Sequence, residues 1–118
     1  MPADKILTVL IMNERILTIY SKQSDFEILE TFLAGNHYEI FHSETREDAI
    51  ASFRENRPGY VILDLQIEND SGLGLLEMMK SENPEAEVIT VSSPEALDIA
   101  MKSLSCEASD FLVKPISE

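Results

Sequence analysis

Five short runs of apolar and β-branched residues alternate with longer segments of helical periodicity, and this alternation constrains the fold more than any other feature of the chain. The run at residues 60–63 is apolar throughout and stops at Asp64, as expected of a parallel strand covered on both faces. Strands that alternate with helices predict an α/β fold with a doubly wound parallel sheet. The remaining predicted strands are residues 16–20, 39–41, 88–91 and 111–113.

Helix start signals lie between these strands. Ser24 and Glu27 have the spacing of a capping box, and Thr45 begins a similar pattern. Ser93 precedes Pro94, which suits the first position of a helix. Each segment then repeats apolar residues every three or four positions, as one buried helix face requires. These residues are Phe26, Leu29, Phe32 and Leu33, then Ala49, Ile50 and Phe53, then Leu73, Leu76 and Met79, and finally Leu97, Ala100, Met101 and Leu104.

Length and charge restrict the partners that the chain can have. Its 118 residues are enough for one domain, and its net charge of −13 repels phosphate backbones and anionic membrane surfaces. The sequence therefore predicts no direct contact with nucleic acid or membrane. The apolar run at residues 6–12 is too short to span a bilayer. A single cysteine, Cys106, excludes an internal disulfide, so we expect a protein of the reducing cytoplasm.

Polar residues follow the predicted strands. Tyr20 and Ser21 come at the end of the first, Asp64 after the third, Ser92 after the fourth and Lys114 after the fifth. The carboxyl ends of parallel strands meet at one edge of the sheet, where such folds bind ligands. We therefore expect the chemistry of this protein at that edge.

In this pattern the chain resembles the receiver domain of two-component response regulators, the CheY-like family. Asp64 matches the phosphoacceptor, Gly72 follows eight residues later where the family has a glycine, Ser92 matches a hydroxyl position, and Lys114 is followed by Pro115 as in the family. The resemblance covers about residues 15–118. It implies a flavodoxin-like strand order of 2-1-3-4-5 and a signalling module that is not an enzyme.

The resemblance also implies roles for single residues. Asp64 would take a phosphoryl group from a histidine kinase or a phosphotransfer protein, and Ser92 and Lys114 would contact the phosphate. Ser92 and Phe111 would form the pair of switch residues. The transfer depends on positioning and on neutralising charge at the phosphoryl oxygens, so Lys114 would supply one positive charge.

The chain departs from the family at the acidic pair that helps to hold Mg²⁺, where it has Tyr20 and Ser21. Only Asp64 and the backbone carbonyl of Gln66 would then remain as ligands, which suits an octahedral oxygen site poorly. We therefore expect no cofactor, weak Mg²⁺ binding and weakened phosphotransfer. In a second register the first strand would end at Met12, with residues 13 and 14 as a partial acidic pair.

Two other functions are alternatives to phosphate acceptance. A pseudo-receiver would act as a protein interaction module without phosphorylation. A flavodoxin-like phosphate binder would use Ser21 and Ser24 at a helix N-terminus, although the chain lacks a glycine-rich loop and has no Trp. A colourless protein would exclude that third function.

The ends of the chain raise a further expectation. Receivers carry a fifth helix after the Lys-Pro pair, and this chain stops at Glu118, so we expect that helix to be missing. We expect residues 1–14 to form an N-terminal extension ahead of a receiver domain at 15–118. Its apolar residues recur at helical spacing, which predicts a short helix over residues 4–12 that covers the vacated face. A homodimer through that face is the alternative.

Overall fold

The computed structural model describes residues 15–20, 27, 30, 31, 35, 38–67 and 72–114. Within them, five parallel strands form one sheet in the order β2-β1-β3-β4-β5. This confirms the doubly wound α/β fold and its predicted strand order. The predicted extension at 1–14 and the chain after Lys114 lie outside the described residues. The strands are β1 (Arg15–Ile19), β2 (Glu39–Ser43), β3 (Tyr60–Asp64), β4 (Glu87–Ser92) and β5 (Asp110–Val113).

Three α-helices are described between the strands: α1 (Arg46–Asn56), α2 (Leu73–Glu82) and α3 (Leu97–Ser105). The Thr45 hydroxyl accepts a hydrogen bond from the Asp48 N–H at 3.1 Å, which confirms the predicted cap of α1. The predicted helix between β1 and β2 lies largely outside the described residues, but positions 27, 30 and 31 are helical. No helix in the described part of the chain has the length and apolar character needed to cross a bilayer.

The sheet buries apolar side chains on both faces. Val61 and Leu63 of β3 point into the main core beneath α1, α2 and α3, whereas Ile62 points into a smaller cluster on the second face. Successive side chains of a strand alternate between faces, so the unbroken apolar run of β3 places buried side chains on both faces of the sheet. The smaller cluster also contains Ile16, Tyr20 and Val91.

Element boundaries differ from the sequence prediction, most clearly at β1, at β2 and at the start of α3. Strand β1 begins at Arg15 and ends at Ile19, so Tyr20 lies just after it, and the register that ends this strand at Met12 is wrong. Strand β2 continues to Ser43 because each of its residues pairs with β1. Helix α3 begins at Leu97, because residues 94–96 form a 3₁₀ turn for which Ser93 provides no side-chain cap.

Gly72 is required by the turn into α2. Its φ of 72° lies in the left-handed region, which residues with a Cβ atom adopt at an energetic cost. A Cβ atom here would also stand 3.0 Å from the Leu65 Cα atom. The glycine therefore lets the chain return closely past the end of β3 before α2 begins.

Helix α3 exposes most of the apolar residues that its sequence pattern groups together. Leu97, Met101 and Leu104 are 44%, 60% and 43% exposed. The helix approaches the sheet through small residues, since Ala100 and Ser103 are fully buried and the Ser103 hydroxyl lies 2.8 Å from the Thr90 hydroxyl. The helix therefore packs on the sheet through Ala100, Ser103 and the partly buried Ile99, while Leu97, Met101 and Leu104 stay exposed.

Candidate functional site

The sheet brings three of the predicted site residues to one edge. Asp64 ends β3, Ser92 ends β4, and Lys114 directly follows β5. The backbone ladder continues one residue past the strands, because the Leu65 N–H donates to the Val91 carbonyl and the Lys114 N–H donates to the Ser92 carbonyl, both at 2.9 Å. The main chains that carry the three side chains are thus hydrogen-bonded to one another in sequence.

Asp64 and Lys114 form a largely buried ion pair. The Lys114 Nζ atom lies 3.0 Å from Asp64 Oδ2, and the two side chains are 17% and 5% exposed. The Gln66 backbone N–H donates to Asp64 Oδ1 at 2.9 Å. Burying a carboxylate is costly unless it is paired and hydrogen-bonded. Both oxygens of Asp64 have a donor, so the charge is stabilised within the protein.

The Ser92 hydroxyl is buried and has no hydrogen-bond partner among the described residues. Buried polar groups nearly always have a partner, and an unmade hydrogen bond destabilises the fold. Strand pairing places Val91, the residue before Ser92, opposite Asp64. The Ser92 hydroxyl, which has no partner among the described residues, therefore lies at the end of the strand that pairs with β3 at Asp64.

A second contact joins the loops after β3 and β4. The Gln66 side-chain amide donates to the Ser93 hydroxyl at 3.0 Å, and the Ser93 N–H donates to Gln66 Oε1 at 3.3 Å. The prediction for Gln66 concerns only its backbone carbonyl, so this side-chain pair is not predicted from the sequence. No spacing rule joins residues 27 positions apart, so the sequence carried no signal for it.

Tyr20, which is predicted to stand at one position of the family's acidic pair, is buried on the second face of the sheet. Its ring packs against the His42 ring at a tilt of 40° with centroids 4.3 Å apart, and its hydroxyl donates to the Glu30 carboxylate. His42 Nδ1 lies 3.2 Å from the Thr18 hydroxyl. The Tyr20 side chain thus joins β1, β2 and the helical segment before β2. Ser21, the predicted second position of the pair, lies outside the described residues.

The described donor set does not fit Mg²⁺. This cation needs six oxygen ligands in near-octahedral geometry. Asp64 offers one carboxylate, and Lys114 and Gln66 already donate to its oxygens. The Tyr20 hydroxyl is bonded to Glu30. No cluster of three or more His, Cys, Asp or Glu side chains that could hold a metal occurs among the described residues.

Phe111, the predicted aromatic switch residue, lies in β5 opposite Thr90 of β4. Its side chain is partly buried against the main core, while its neighbour Leu112 is 38% exposed. A phenyl ring has no hydroxyl, so packing alone sets its orientation.

This arrangement is that of a known class of signalling module. Residues 16–118 match the family model of the response regulator receiver domain. The chain therefore belongs to the receiver-domain family of two-component systems, whose members are signalling modules that interact with histidine kinases. This family assignment does not support the flavodoxin-like alternative.

Curated relatives and solved structures agree with this assignment. The chain is 34% identical over 83 residues to the "Probable transcriptional regulatory protein TcrX" of Mycobacterium tuberculosis, covering 68% of this chain and 36% of that protein. A "Probable transcriptional regulator ycf27" of Porphyridium aerugineum is 29% identical, with 88% of this chain and 43% of that protein covered. A crystal structure of a signal receiver domain from Vibrio parahaemolyticus superposes with a TM-score of 0.78 at 30% identity, covering 89% of this chain and 81% of that one. The receiver domain of NtrX from Brucella abortus gives 0.80 at 24% identity, covering 86% and 87%.

The chain spans less than half the length of these two curated relatives. Both are named as transcriptional regulators, so the predicted lack of a nucleic-acid partner finds no support in the comparisons.

Proposed function

We propose that this receiver accepts a phosphoryl group on Asp64 from the phosphohistidine of a histidine kinase or phosphotransfer protein. An Asp64 carboxylate oxygen attacks the phosphorus atom, a P–O bond forms, and the P–N bond to the imidazole breaks. The imidazole nitrogen keeps the bonding electron pair and is protonated from solvent. The product is an aspartyl phosphate on this chain and an unmodified histidine on the donor.

One observation carries this proposal: a buried carboxylate is paired with an ammonium group, and the neighbouring strand ends in a buried hydroxyl that has no hydrogen-bond partner among the described residues. Lys114 Nζ lies 3.0 Å from Asp64 Oδ2, so its positive charge is close to where phosphoryl oxygens would develop negative charge. The Ser92 hydroxyl has no described partner and could donate to one of those oxygens. Phosphoryl transfer depends mainly on such positioning and charge stabilisation.

We further propose that the reaction is weaker and less dependent on Mg²⁺ than is usual for the family. Magnesium would supply additional positive charge to the phosphoryl oxygens, but the described donors fit it poorly. Lys114 and Ser92 would then stabilise the transferred group largely by themselves.

The direct test incubates the protein with acetyl phosphate, with and without Mg²⁺, and measures phosphoryl addition by intact mass. We expect slow labelling that Mg²⁺ changes little and that Asp64→Asn abolishes. Asp98→Asn, at the exposed start of α3, is the matched control and should label normally. Labelling that persists in Asp64→Asn would refute the assignment of the acceptor.

A gain-of-function variant tests the metal argument separately. Replacing Tyr20 and Ser21 together by Asp restores the family's acidic pair, and we expect stronger Mg²⁺ binding and faster labelling. No gain in either would show that the pocket differs from the family's in more than these two positions.

The pseudo-receiver is the alternative, and the closed ion pair favours it. Asp64 is already stabilised by Lys114 and the Gln66 N–H, so the resting site needs neither metal nor phosphate. In that case partner binding would be unchanged by Asp64→Asn and by acetyl phosphate.

A further inference from the structure

We propose that Arg46 determines how readily an anionic phosphoryl donor reaches Asp64, because its guanidinium offsets the negative charge that surrounds the approach to this carboxylate. This inference rests on the proposed function. Arg46 acts on the arrival of the donor and takes no part in making or breaking bonds at the carboxylate.

Arg46 lies at the same edge of the sheet as Asp64. Strand β2 ends at Ser43, the Thr45 cap follows, and Arg46 is the first residue of α1. The carboxyl ends of parallel strands meet at one edge, so the start of α1 and the end of β3 lie on the same side of the molecule. The other described cations, apart from Lys114, belong to the amino end of β1 or to the later turns and ends of the helices.

The guanidinium of Arg46 lies against the first turn of α2. A Cβ atom at Gly74 would stand 3.5 Å and 3.6 Å from its two terminal nitrogens. Gly74 comes two residues after Gly72, where a Cβ atom would lie 3.4 Å from the Asp64 carbonyl oxygen. Glycine at position 74 therefore leaves room for a positive charge on the segment that passes the end of β3.

The start of α2 adds to the positive potential at this place. Its first turn contains no acidic residue, and Gly72 provides no side-chain cap. The amino end of a helix carries a partial positive charge. The helix and the Arg46 guanidinium therefore act in the same direction on an approaching anion.

The surroundings of Arg46 are otherwise acidic. Glu44, Glu47 and Asp48 are its close neighbours in the sequence and all three are exposed, and the chain has a net charge of −13. Such a surface repels a doubly negative phosphoryl donor. Removal of Arg46 would leave the three carboxylates without this nearby cation, so the donor would approach less often.

Lys114 contributes little to this attraction from a distance. Its Nζ atom lies 3.0 Å from Asp64 Oδ2, so the two opposite charges largely cancel beyond the site itself. The arrival of a donor from solution therefore depends on the charges around the ion pair, among which Arg46 is positive.

The test measures the initial rate of labelling by acetyl phosphate as its concentration is varied, at low ionic strength. A unit charge that acts on a dianion across about 10 Å of water changes a rate about fourfold. We therefore expect Arg46→Gln to lower the second-order rate constant of labelling about three- to fivefold, with little change in the limiting rate at saturating donor. In about 1 M NaCl, where the Debye length is about 3 Å, the difference should vanish.

Two variants control for charge and for structure. Arg46→Lys keeps the positive charge and should label at close to the wild-type rate. Arg54→Gln makes the same change of charge in the last turn of the same helix, away from this edge, and should also label at close to the wild-type rate.

Substitutions at Gly74 test the placement of the guanidinium independently. In Gly74→Glu a carboxylate would stand against Arg46 and neutralise its charge, and an acidic residue suits the first turn of a helix. We expect labelling as slow as in Arg46→Gln, in a protein that is no less stable than the wild type. Gly74→Gln adds the same bulk without the charge and should label at close to the wild-type rate.

The outcomes separate this inference from the proposed function. Equal second-order rate constants for the wild type and Arg46→Gln at low ionic strength would refute the role of Arg46 and leave Asp64 as the acceptor. A loss that persists in high salt, or that Arg46→Lys shares, would refute an electrostatic role. No labelling of the wild type would refute the proposed function, and the role of Arg46 with it.

Discussion

Removing the Lys114 charge should destabilise the fold measurably, because it leaves a buried carboxylate without its cation. Opposite unit charges 3.0 Å apart, as Lys114 Nζ and Asp64 Oδ2 are, attract by about 5–6 kcal/mol at an effective dielectric constant of about 20. Part of this attraction only offsets the cost of removing both groups from water. For Lys114→Met we expect a loss of about 3 kcal/mol in the free energy of unfolding at neutral pH, at the lower end for broken buried pairs.

Two structural features place the expected loss at the lower end of this range. The Lys114 side chain is 17% exposed, so solvent already screens the pair in part. The Gln66 N–H continues to donate to Asp64 Oδ1 after the substitution. Methionine preserves most of the aliphatic length of lysine, so little of the loss should come from packing.

The assay is urea unfolding at pH 7, applied to the wild type, Lys114→Met, Asp64→Asn and the double variant. The double variant should be more stable than Lys114→Met alone, because the asparagine removes the uncompensated charge and still accepts from Gln66. Lys102→Met serves as the surface control. A loss below about 1 kcal/mol for Lys114→Met, the range of exposed pairs, would refute this reasoning, as would a double variant less stable than both single variants.

Three further predictions concern other parts of the molecule. Phe111→Ala should lower the free energy of unfolding by about 2–3 kcal/mol, less than a fully buried phenylalanine, because the ring is only partly buried against the core; lost partner binding at unchanged stability would contradict this. Burial and the neighbouring Glu77 carboxylate raise the pKa of the Cys106 thiol, so it should react with a disulfide reagent at neutral pH more slowly than in unfolded protein, and Glu77→Gln should accelerate it. The hydrogen bond from Arg54 lowers the pKa of Glu82, so this pair stabilises the fold above the ordinary pKa of a glutamate and loses its effect as the pH falls through the lowered value. The melting curves of Arg54→Gln and the wild type should therefore converge on acidification, and a constant difference would count against the pair.

The site could be predicted from the sequence where the sheet alone determines it. Asp64, Ser92 and Lys114 each follow an apolar run, and the parallel sheet brings such positions to one edge whatever the details of the loops. The order of the strands followed from the family resemblance that these same residues carry. Predicting which residues lie at this edge requires only the position at which each strand ends, and the local sequence pattern indicates that position.

Contacts that depend on loop conformation or on side-chain size could not be predicted. The hydrogen bonds between Gln66 and Ser93 join two loops whose conformations no local sequence pattern encodes. Helix α3 has apolar residues at core spacing, yet it packs through Ala100 and Ser103, because small side chains permit close approach to the sheet. The link between Tyr20 and Glu30 depends on how the segment before β2 lies against β1, which the capping signal alone does not give.

Chemical trapping tests most directly whether the Asp64 carboxylate is the phosphoacceptor. Treatment of the acetyl phosphate-labelled protein with borohydride reduces an aspartyl phosphate to homoserine, which peptide mass mapping locates. We predict homoserine at position 64, in proportion to labelling and absent from Asp64→Asn. Homoserine at another aspartate, or none in protein that carries a phosphoryl group, would contradict it.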